Sequence, residues 1–117
     1  MKKQKKQVGA NYLEKIPVRS DRISFSKDET GKVTLDIENR GFFNFIAQKI
    51  GGKPRISHIH LDELGSAVWT LIDGKSDLVR IGEELEATLG EKAHPTYERL
   101  AKFVMILDDY GFISFVK

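Results

Sequence analysis

Cysteine is absent from the 117-residue sequence, which excludes disulfides, thiolate chemistry and cysteine-ligated zinc. No apolar run approaches the roughly 20 residues that a membrane-spanning helix needs. The basic opening MKKQKKQ is not followed by the apolar segment of a secretion signal. With 40% hydrophobic and 31% charged residues, the sequence predicts one cytoplasmic domain with a single modest core and no membrane contact.

Recognisable catalytic motifs are also missing from the sequence. Residues 51–54, GGKP, lack the spacing of a phosphate-binding loop. His58 and His60 lie two apart on a predicted strand and therefore share a face, as in some metal sites, but His94 is the only other histidine. We interpret the histidine pair as an ordinary strand pair, and we expect no catalysis, no cofactor and no metal.

The charge is distributed unevenly along the chain, although its net value is only +2. Residues 1–60 carry 13 Lys and Arg against 6 Asp and Glu, a net of +7, whereas residues 61–117 carry 6 against 11, a net of −5. The first four basic residues are Lys2, Lys3, Lys5 and Lys6. Because this composition buries little apolar surface, we expect a disordered basic tail at 1–15 and a folded domain at 16–117.

Two runs with period two predict the first strands. Ile23 and Phe25 alternate with polar residues over 22–26, and a second apolar and polar alternation covers 33–38. The segment between them contains Asp28 and Gly31, which tolerate turn dihedral angles. We therefore predict a β-hairpin.

A short aromatic segment, GFFNFIAQKI, follows at 41–50. As a helix it would place five apolar residues on one broad side, namely Phe42, Phe43, Phe45, Ile46 and Ile50. Glycine and proline then end it, so we predict an amphipathic insert at 41–51. Two alternatives stay open: the insert packs on the sheet, or it docks a partner through its aromatic surface.

The centre of the sequence is a strand at 55–60 that leads into an amphipathic helix, predicted from Glu63 to Asp73. Asp62 suits the N-cap, and Gly74 suits a left-handed exit. The apolar residues recur with helical spacing and predict one core face, formed by Leu61, Leu64, Val68, Leu71 and Ile72.

Two further helices are predicted after Gly74. The first has Ser76 as its N-cap and Gly90 at its end; its apolar face comprises Leu78, Ile81, Gly82, Leu85 and Leu89. The second begins near Pro95, which fits a first helical turn, and runs to about Tyr110. An apolar C-terminal segment follows and is expected to pack on the core.

The last helix is more apolar than one core contact requires. Its centre is formed by Leu100, Phe103, Val104 and Leu107, one shoulder by Tyr97, Ala101 and Met105, and the other by Ile106 and Tyr110. The first shoulder is interpreted as a binding surface, and the alternative is that a small domain wraps this helix on two sides.

The order of these elements predicts a small α+β, winged-helix-like domain with a three-stranded antiparallel sheet and a three-helix bundle. The sequence also resembles the PqqD-like family of peptide-binding chaperones, or recognition elements for ribosomally made, modified peptides. The residues that carry the resemblance are Val68-Trp69, Ile72-Asp73-Gly74, Val79-Arg80-Ile81-Gly82, Leu107 and Gly111-Phe112-Ile113. The resemblance covers roughly residues 16–116, and the insert at 41–51 departs from the shortest members.

The resemblance implies a function in natural product biosynthesis without catalysis. Such a protein holds the leader of a precursor peptide as an added strand and presents it to a modifying enzyme, often a radical S-adenosylmethionine enzyme. By position, the implied peptide-binding residues are Arg55, Ser57, His58, Ile59, His60, Tyr97, Ala101, Val104 and Met105. An exposed strand edge suits this role because an extended peptide satisfies its N–H and C=O groups, and proline at Ile59 is expected to abolish binding.

The main alternative is a winged-helix protein that binds DNA. Duplex binding needs Lys and Arg on the recognition helix, whereas the last predicted helix offers Arg99 and Lys102 against Glu98, Asp108 and Asp109. Only the N-terminal lysines favour nucleic acid, and a tail of this kind gives salt-sensitive attachment without reading of bases. The sequence therefore favours a peptide partner over a nucleic acid, and leaves the oligomeric state open.

Overall fold

The structure is a computed structural model that describes residues 10–38 and 56–116. Its strands are β1 (Pro17–Arg19), β2 (Ile23–Lys27), β3 (Val33–Glu38), β4 (Ile56–His60) and β5 (Ile113–Phe115). Its helices are α1 (Ala10–Leu13), α2 (Glu63–Leu71), α3 (Leu78–Leu89) and α4 (Thr96–Asp109), with a 3-10 turn at Gly90–Ala93. The antiparallel sheet and the three longer helices confirm the predicted α+β fold class. The predicted insert at 41–51 and the predicted site residue Arg55 lie outside the described residues.

β2, β3 and β4 form one antiparallel sheet, with β3 in the middle. The predicted hairpin joins β2 to β3, and the Asp28 carboxylate accepts the backbone N–H groups of Thr30 at 2.8 Å and Lys32 at 3.0 Å. Gly31 has a φ of 90° in this turn, where a side chain would be strained. The hairpin is therefore confirmed, together with the turn residues that produce it.

α2 begins as predicted, with the Asp62 carboxylate accepting the Gly65 N–H at 2.8 Å. It ends at Leu71, two residues before the predicted end, because Ile72 already adopts an extended conformation with a ψ of 107°. Gly74 has the positive φ, 78°, that the prediction required. The helix thus ends two residues earlier than the apolar periodicity indicates.

The core lies between the helices and one face of the three-stranded sheet. Its fully buried side chains include Val33, Leu35, Val68, Trp69, Ile72, Leu78, Ile81, Leu85, Leu100 and Val104. Ser66 is a buried polar residue, and its hydroxyl oxygen accepts the Val33 N–H at 2.8 Å. This bond fixes α2 to the first residue of β3 and leaves neither group unsatisfied.

The predicted caps of the last two helices need two corrections. Asp77, not Ser76, caps α3, and its carboxylate accepts the Arg80 N–H at 2.9 Å. The Ser76 N–H instead binds the Asp73 carboxylate at 2.8 Å, so Ser76 belongs to the preceding turn. Pro95 lies at the N-cap of α4, one residue before the predicted first turn.

A second, two-stranded sheet joins the two ends of the domain and was not predicted. β1 pairs with β5 in antiparallel register, with Pro17 opposite Phe115. The C-terminal segment packs on the core as expected, because Phe112 and Ile113 are buried. Residues before β1 also contact the domain: α1 is helical, and the Lys15 carbonyl accepts a backbone hydrogen bond from the Leu78 N–H of α3. Strands of three residues carry too little alternation to be recognised in a sequence.

Candidate functional site

β4 lies at one edge of the three-stranded sheet and is hydrogen-bonded to β3 among the described residues. Residues directly opposite each other in an antiparallel pair point to the same face. Ile59 lies opposite Leu35, which is fully buried, so Ile59 belongs to the face that packs on the helices. Its side chain is nevertheless 36% exposed, because it lies at the edge of the sheet.

The direction of the backbone groups of β4 follows from one hydrogen bond. The N–H of Leu61, just after β4, donates to the Val33 carbonyl at 2.9 Å. Because bonded and non-bonded pairs alternate in an antiparallel ladder, Ile59 and Ser57 direct their N–H and C=O groups toward β3. His58 and His60 direct theirs away from β3, toward the edge. Proline at Ile59 would thus break the ladder inside the sheet, which corrects the expectation that this N–H meets a peptide.

The two predicted histidines share the outer face of the sheet, as expected from their spacing. The His58 Nδ1 lies 2.6 Å from the Asp36 carboxylate, and the His60 Nδ1 lies 2.9 Å from the Thr34 hydroxyl. Both contacts join directly opposed residues of β3 and β4. Within the described ranges, no group of three or more potential ligands is placed to hold a metal ion. The pair therefore ties β4 to β3.

The Tyr97 shoulder of α4 faces α3. A Cβ atom built on Gly82 would lie 2.2 Å from the Tyr97 ring, and the Tyr97 hydroxyl donates to the Val79 carbonyl at 3.0 Å. Burial raises the Tyr97 pKa, and the carboxylates of Glu83, Glu86 and Asp77 raise it further. We call Tyr97, Ala101 and Met105 the α3 side of α4.

The opposite shoulder of α4 faces the first turn of α2. A Cβ atom built on Gly65 would lie 3.1 Å from Cζ of Phe103, and Gly65 is in the first turn of α2, which directly follows β4. Ile106 and Tyr110 follow Phe103 at i+3 and i+7 and lie on the same side of the helix. Their exposed fractions are 46% and 54%. We call Phe103, Ile106 and Tyr110 the β4 side of α4.

The structure separates the predicted site residues into two groups. Ser57, His58, Ile59 and His60 lie together on β4. On α4, Ala101 and Val104 are buried, at 1% and 0% exposure, whereas Met105 is 42% exposed. Ala101 and Val104 are therefore part of the core, which corrects the expectation that both side chains are open to a peptide.

The β4 side of α4 is a second candidate surface, which appeared in the sequence only as the shoulder of Ile106 and Tyr110. Periodicity does not distinguish the two sides, because both shoulders share it. Two glycines show which neighbour each side faces: Gly82 admits the Tyr97 ring against α3, and Gly65 admits the Phe103 ring against α2. A sequence shows the glycines but not which ring each one faces.

Comparison with protein families gives one match, to coenzyme PQQ synthesis protein D (PqqD), over residues 31–113. Comparison with curated proteins and with solved structures finds no match. No helix among the described residues is long and apolar enough to cross a membrane. The matched region runs from the hairpin turn to β5 and thus includes β4 and all three longer helices. Because it covers most of the sequence, the chain belongs to the PqqD family.

Proposed function

We propose that this protein is a non-catalytic peptide carrier in the synthesis of a peptide-derived product. It binds the leader of a ribosomally made precursor peptide as a fourth strand on β4 and presents it to a modifying enzyme. The observation that carries the proposal is the edge of β4, where the N–H and C=O groups of His58 and His60 point outward beside an exposed Ile59.

Strand addition at β4 gives the peptide two distinct faces. A peptide residue opposite Ile59 occupies a non-hydrogen-bonded position, where opposed side chains approach most closely, and points to the helix side of the sheet. It meets the exposed edge of Ile59 and the apolar β4 side of α4. Main-chain hydrogen bonds supply affinity, and the apolar contacts supply choice of sequence.

Family membership supports the biosynthetic part of the proposal. The description of the matching family is PQQ synthesis, so a partner that modifies a peptide fits this context. A radical S-adenosylmethionine enzyme is the partner implied by the sequence resemblance. The α4 surface does not favour the DNA-binding alternative, since its outward residues Glu98, Asp108 and Asp109 outnumber its basic ones.

The test of the proposal compares two substitutions at one position. His58→Pro removes an outward N–H, and proline is tolerated on an edge strand whose N–H faces away from the sheet. Both substitutions remove the contact between His58 and Asp36, but His58→Ala keeps the backbone N–H. The probe is a peptide selected from a displayed library of random segments. We expect His58→Pro to bind it about ten-fold more weakly than His58→Ala does. A ten-fold loss corresponds roughly to one lost hydrogen bond that leaves the peptide carbonyl unsatisfied.

Titration calorimetry measures the affinities, and circular dichroism checks that both variants remain folded. Ile59→Pro is the matched control, since it breaks the ladder to β3 and should unfold the sheet. Equal peptide affinity for the two folded His58 variants would overturn strand addition at this edge.

A further inference from the structure

β2 forms the second edge of the three-stranded sheet and pairs only with β3 among the described residues. Its residues 24–27 are all exposed. The Asp28 N–H, just after β2, donates to the Lys32 carbonyl at 3.0 Å. Because bonded and non-bonded pairs alternate along an antiparallel ladder, Phe25 and Lys27 direct their N–H and C=O groups outward, away from β3. This edge therefore offers backbone groups to an added strand.

Arg19, the last residue of β1, lies over an aromatic pair beside this edge. Its guanidinium carbon is 4.9 Å from the centre of the Phe25 ring and 5.8 Å from the centre of the Trp69 ring. Trp69 is fully buried, whereas Phe25 is 39% exposed. The Arg19 side chain forms no hydrogen bond or ion pair with the rest of the described chain. The aromatic pair thus positions a cation without neutralising it, and its N–H groups stay available to a carboxylate.

A cavity of about 520 Å³ continues this surface beneath the β2–β3 turn. Its apolar lining comes from α2 and α3 and includes Ala67, Leu71 and Leu89. Lys27 and Lys32 line it from the hairpin, and neither forms an ion pair with a described residue. Glu63 also lines the cavity, but its carboxylate pairs with Lys92 at 3.7 Å. The cavity is therefore apolar inside, with an excess of positive charge.

These features follow one side of one strand. Phe25 lies opposite the buried Leu35, so its side chain points to the helix side of the sheet, and Lys27 points to the same side two residues later. We call Arg19, Phe25, Lys27 and Lys32 the basic edge. We propose that the basic edge binds an extended acidic segment of a second protein as an added strand.

The charges decide which partner fits. A partner residue opposite Phe25 forms a hydrogen-bonded pair and points to the helix side, where a carboxylate meets Arg19 and Lys27. A second copy of this chain fits poorly, because pairing two β2 strands about a two-fold axis places two sets of the same cations beside each other. Binding here leaves β4 free, since β3 lies between the two edges. The proposal therefore does not rest on the peptide carrier function.

The two edges differ in which N–H groups of an added strand they use. At β2, the residues with outward backbone groups point their side chains to the helix side. At β4, the corresponding residues are His58 and His60, whose side chains lie on the outer face. A strand added to β2 therefore donates through residues that face the helices, whereas a strand added to β4 donates through residues that face away from them.

N-methylated peptides test the proposal on the unmodified protein. The probe is the capped peptide TETETET, and amide chemical shifts of the full chain measure its affinity. We expect the amide signals of Phe25 and Lys27 to shift. Methylation of the glutamate nitrogens should weaken binding about ten-fold, because it removes the N–H groups that face β2, whereas methylation of the threonine nitrogens should change it less than about two-fold. The peptide TKTKTKT should not bind.

Two substitutions test the cations. The double change Arg19→Gln with Lys27→Gln should weaken TETETET binding about five-fold. Arg22→Gln is the matched control, since Arg22 is an exposed cation in the turn before β2 and should leave the affinity unchanged. Circular dichroism checks the fold of both variants, and the methylated peptides do not depend on either.

Equal losses from the two methylated peptides, shifts confined to His58 and His60, or equal affinity for TKTKTKT would each overturn the proposal. Sedimentation of the chain alone gives the last outcome. A dimer that TETETET dissociates would show that a second copy occupies the basic edge, and would overturn the assignment to an acidic partner.

Discussion

The two sides of α4 are similar in sequence and different in structure. Both carry an aromatic residue that lies against a glycine of a neighbouring helix, and Met105 on the α3 side is exposed, as Ile106 is on the β4 side. The α3 side is nevertheless closed between Tyr97 and Met105, because Ala101 is buried there, whereas Ile106 and Tyr110 are both exposed on the β4 side. The difference arises from the neighbours of the helix, since the spacing itself is the same. It teaches that an apolar shoulder becomes a candidate binding surface only when the fold leaves it uncovered beside a usable edge.

Leu107→Ala should give the largest effect, because it empties the centre of α4 between the two sides. Leu107 is 3% exposed in the core, and a buried Leu→Ala change costs about 2–5 kcal/mol. Urea denaturation measures the loss. The matched control is Met105→Ala, an exposed position on the same helix, which we expect to cost less than about 0.5 kcal/mol. Equal losses would show that Met105 is also a core residue.

Gly82→Ala should open the closed side. The added Cβ would lie 2.2 Å from the Tyr97 ring, so the ring must move off α3, at a cost of about 1–3 kcal/mol for an overpacked site. The double change Gly82→Ala with Tyr97→Ala removes the clash, and thermal unfolding should then show a smaller penalty for the alanine at position 82. An unchanged penalty in the Tyr97→Ala background would disprove the contact.

Alkaline pH should destabilise the domain through Tyr12, which lies in α1 near the end of α4. The Tyr12 pKa in the folded chain is about 12 against 10.0 for the free side chain, so the folded state holds the proton more tightly and stability falls as pH rises from 10 toward 12. Since solvent still reaches the ring, we expect a loss of roughly 1–2 kcal/mol.

Tyr12→Phe is the control for this pH effect. The Tyr12 hydroxyl is buried without a hydrogen-bond partner among the described residues, so its removal should be neutral or stabilising at pH 7. Denaturation at several pH values measures the free energy of unfolding, which should fall less steeply above pH 10 in the variant than in the unmodified protein. An equally steep fall would assign the titration to another group.

Ile106→Ala should have the smallest effect on stability and decides which side of α4 binds the peptide. Binding on the β4 side predicts about a ten-fold loss of peptide affinity for Ile106→Ala, on the order of the 1.5 kcal/mol that a buried side chain contributes. Met105→Ala should then bind normally. The reverse result would restore the sequence-based expectation that Met105 lines the pocket.

Local signals in the sequence predicted much of the fold. The Asp28 turn, the Asp62 cap and the glycine exits at Gly74 and Gly90 each depend on a few neighbouring residues, and each is found in the structure. The β1–β5 pairing was missed because it joins short strands about a hundred residues apart. Ser76 was mistaken for the α3 cap because Asp77 beside it is an equally good one.

The candidate site was less predictable than the fold. The strand at β4 was identified from its sequence, and its position at an edge of the sheet agrees with that prediction. Hydrogen-bonded and non-bonded pairs alternate along the β3–β4 ladder, and this alternation decides which residues of β4 direct their backbone groups outward. The hydrogen bond of the Leu61 N–H shows which pairs are bonded, and the sequence alone does not. The orientation of α4 likewise depends on contacts with α2 and α3.

The pairing of β1 with β5 also has a consequence for linking this domain to other proteins. The Val116 N–H donates to the Ile16 carbonyl at 2.9 Å, and the Tyr12 ring of α1 lies 6.2 Å from the Phe115 ring, so α1 and the last described residues lie side by side. A tether attached at either end would leave from the same corner and have the same reach. Insertion into a host loop, or fusion at either end, should therefore be tolerated equally well.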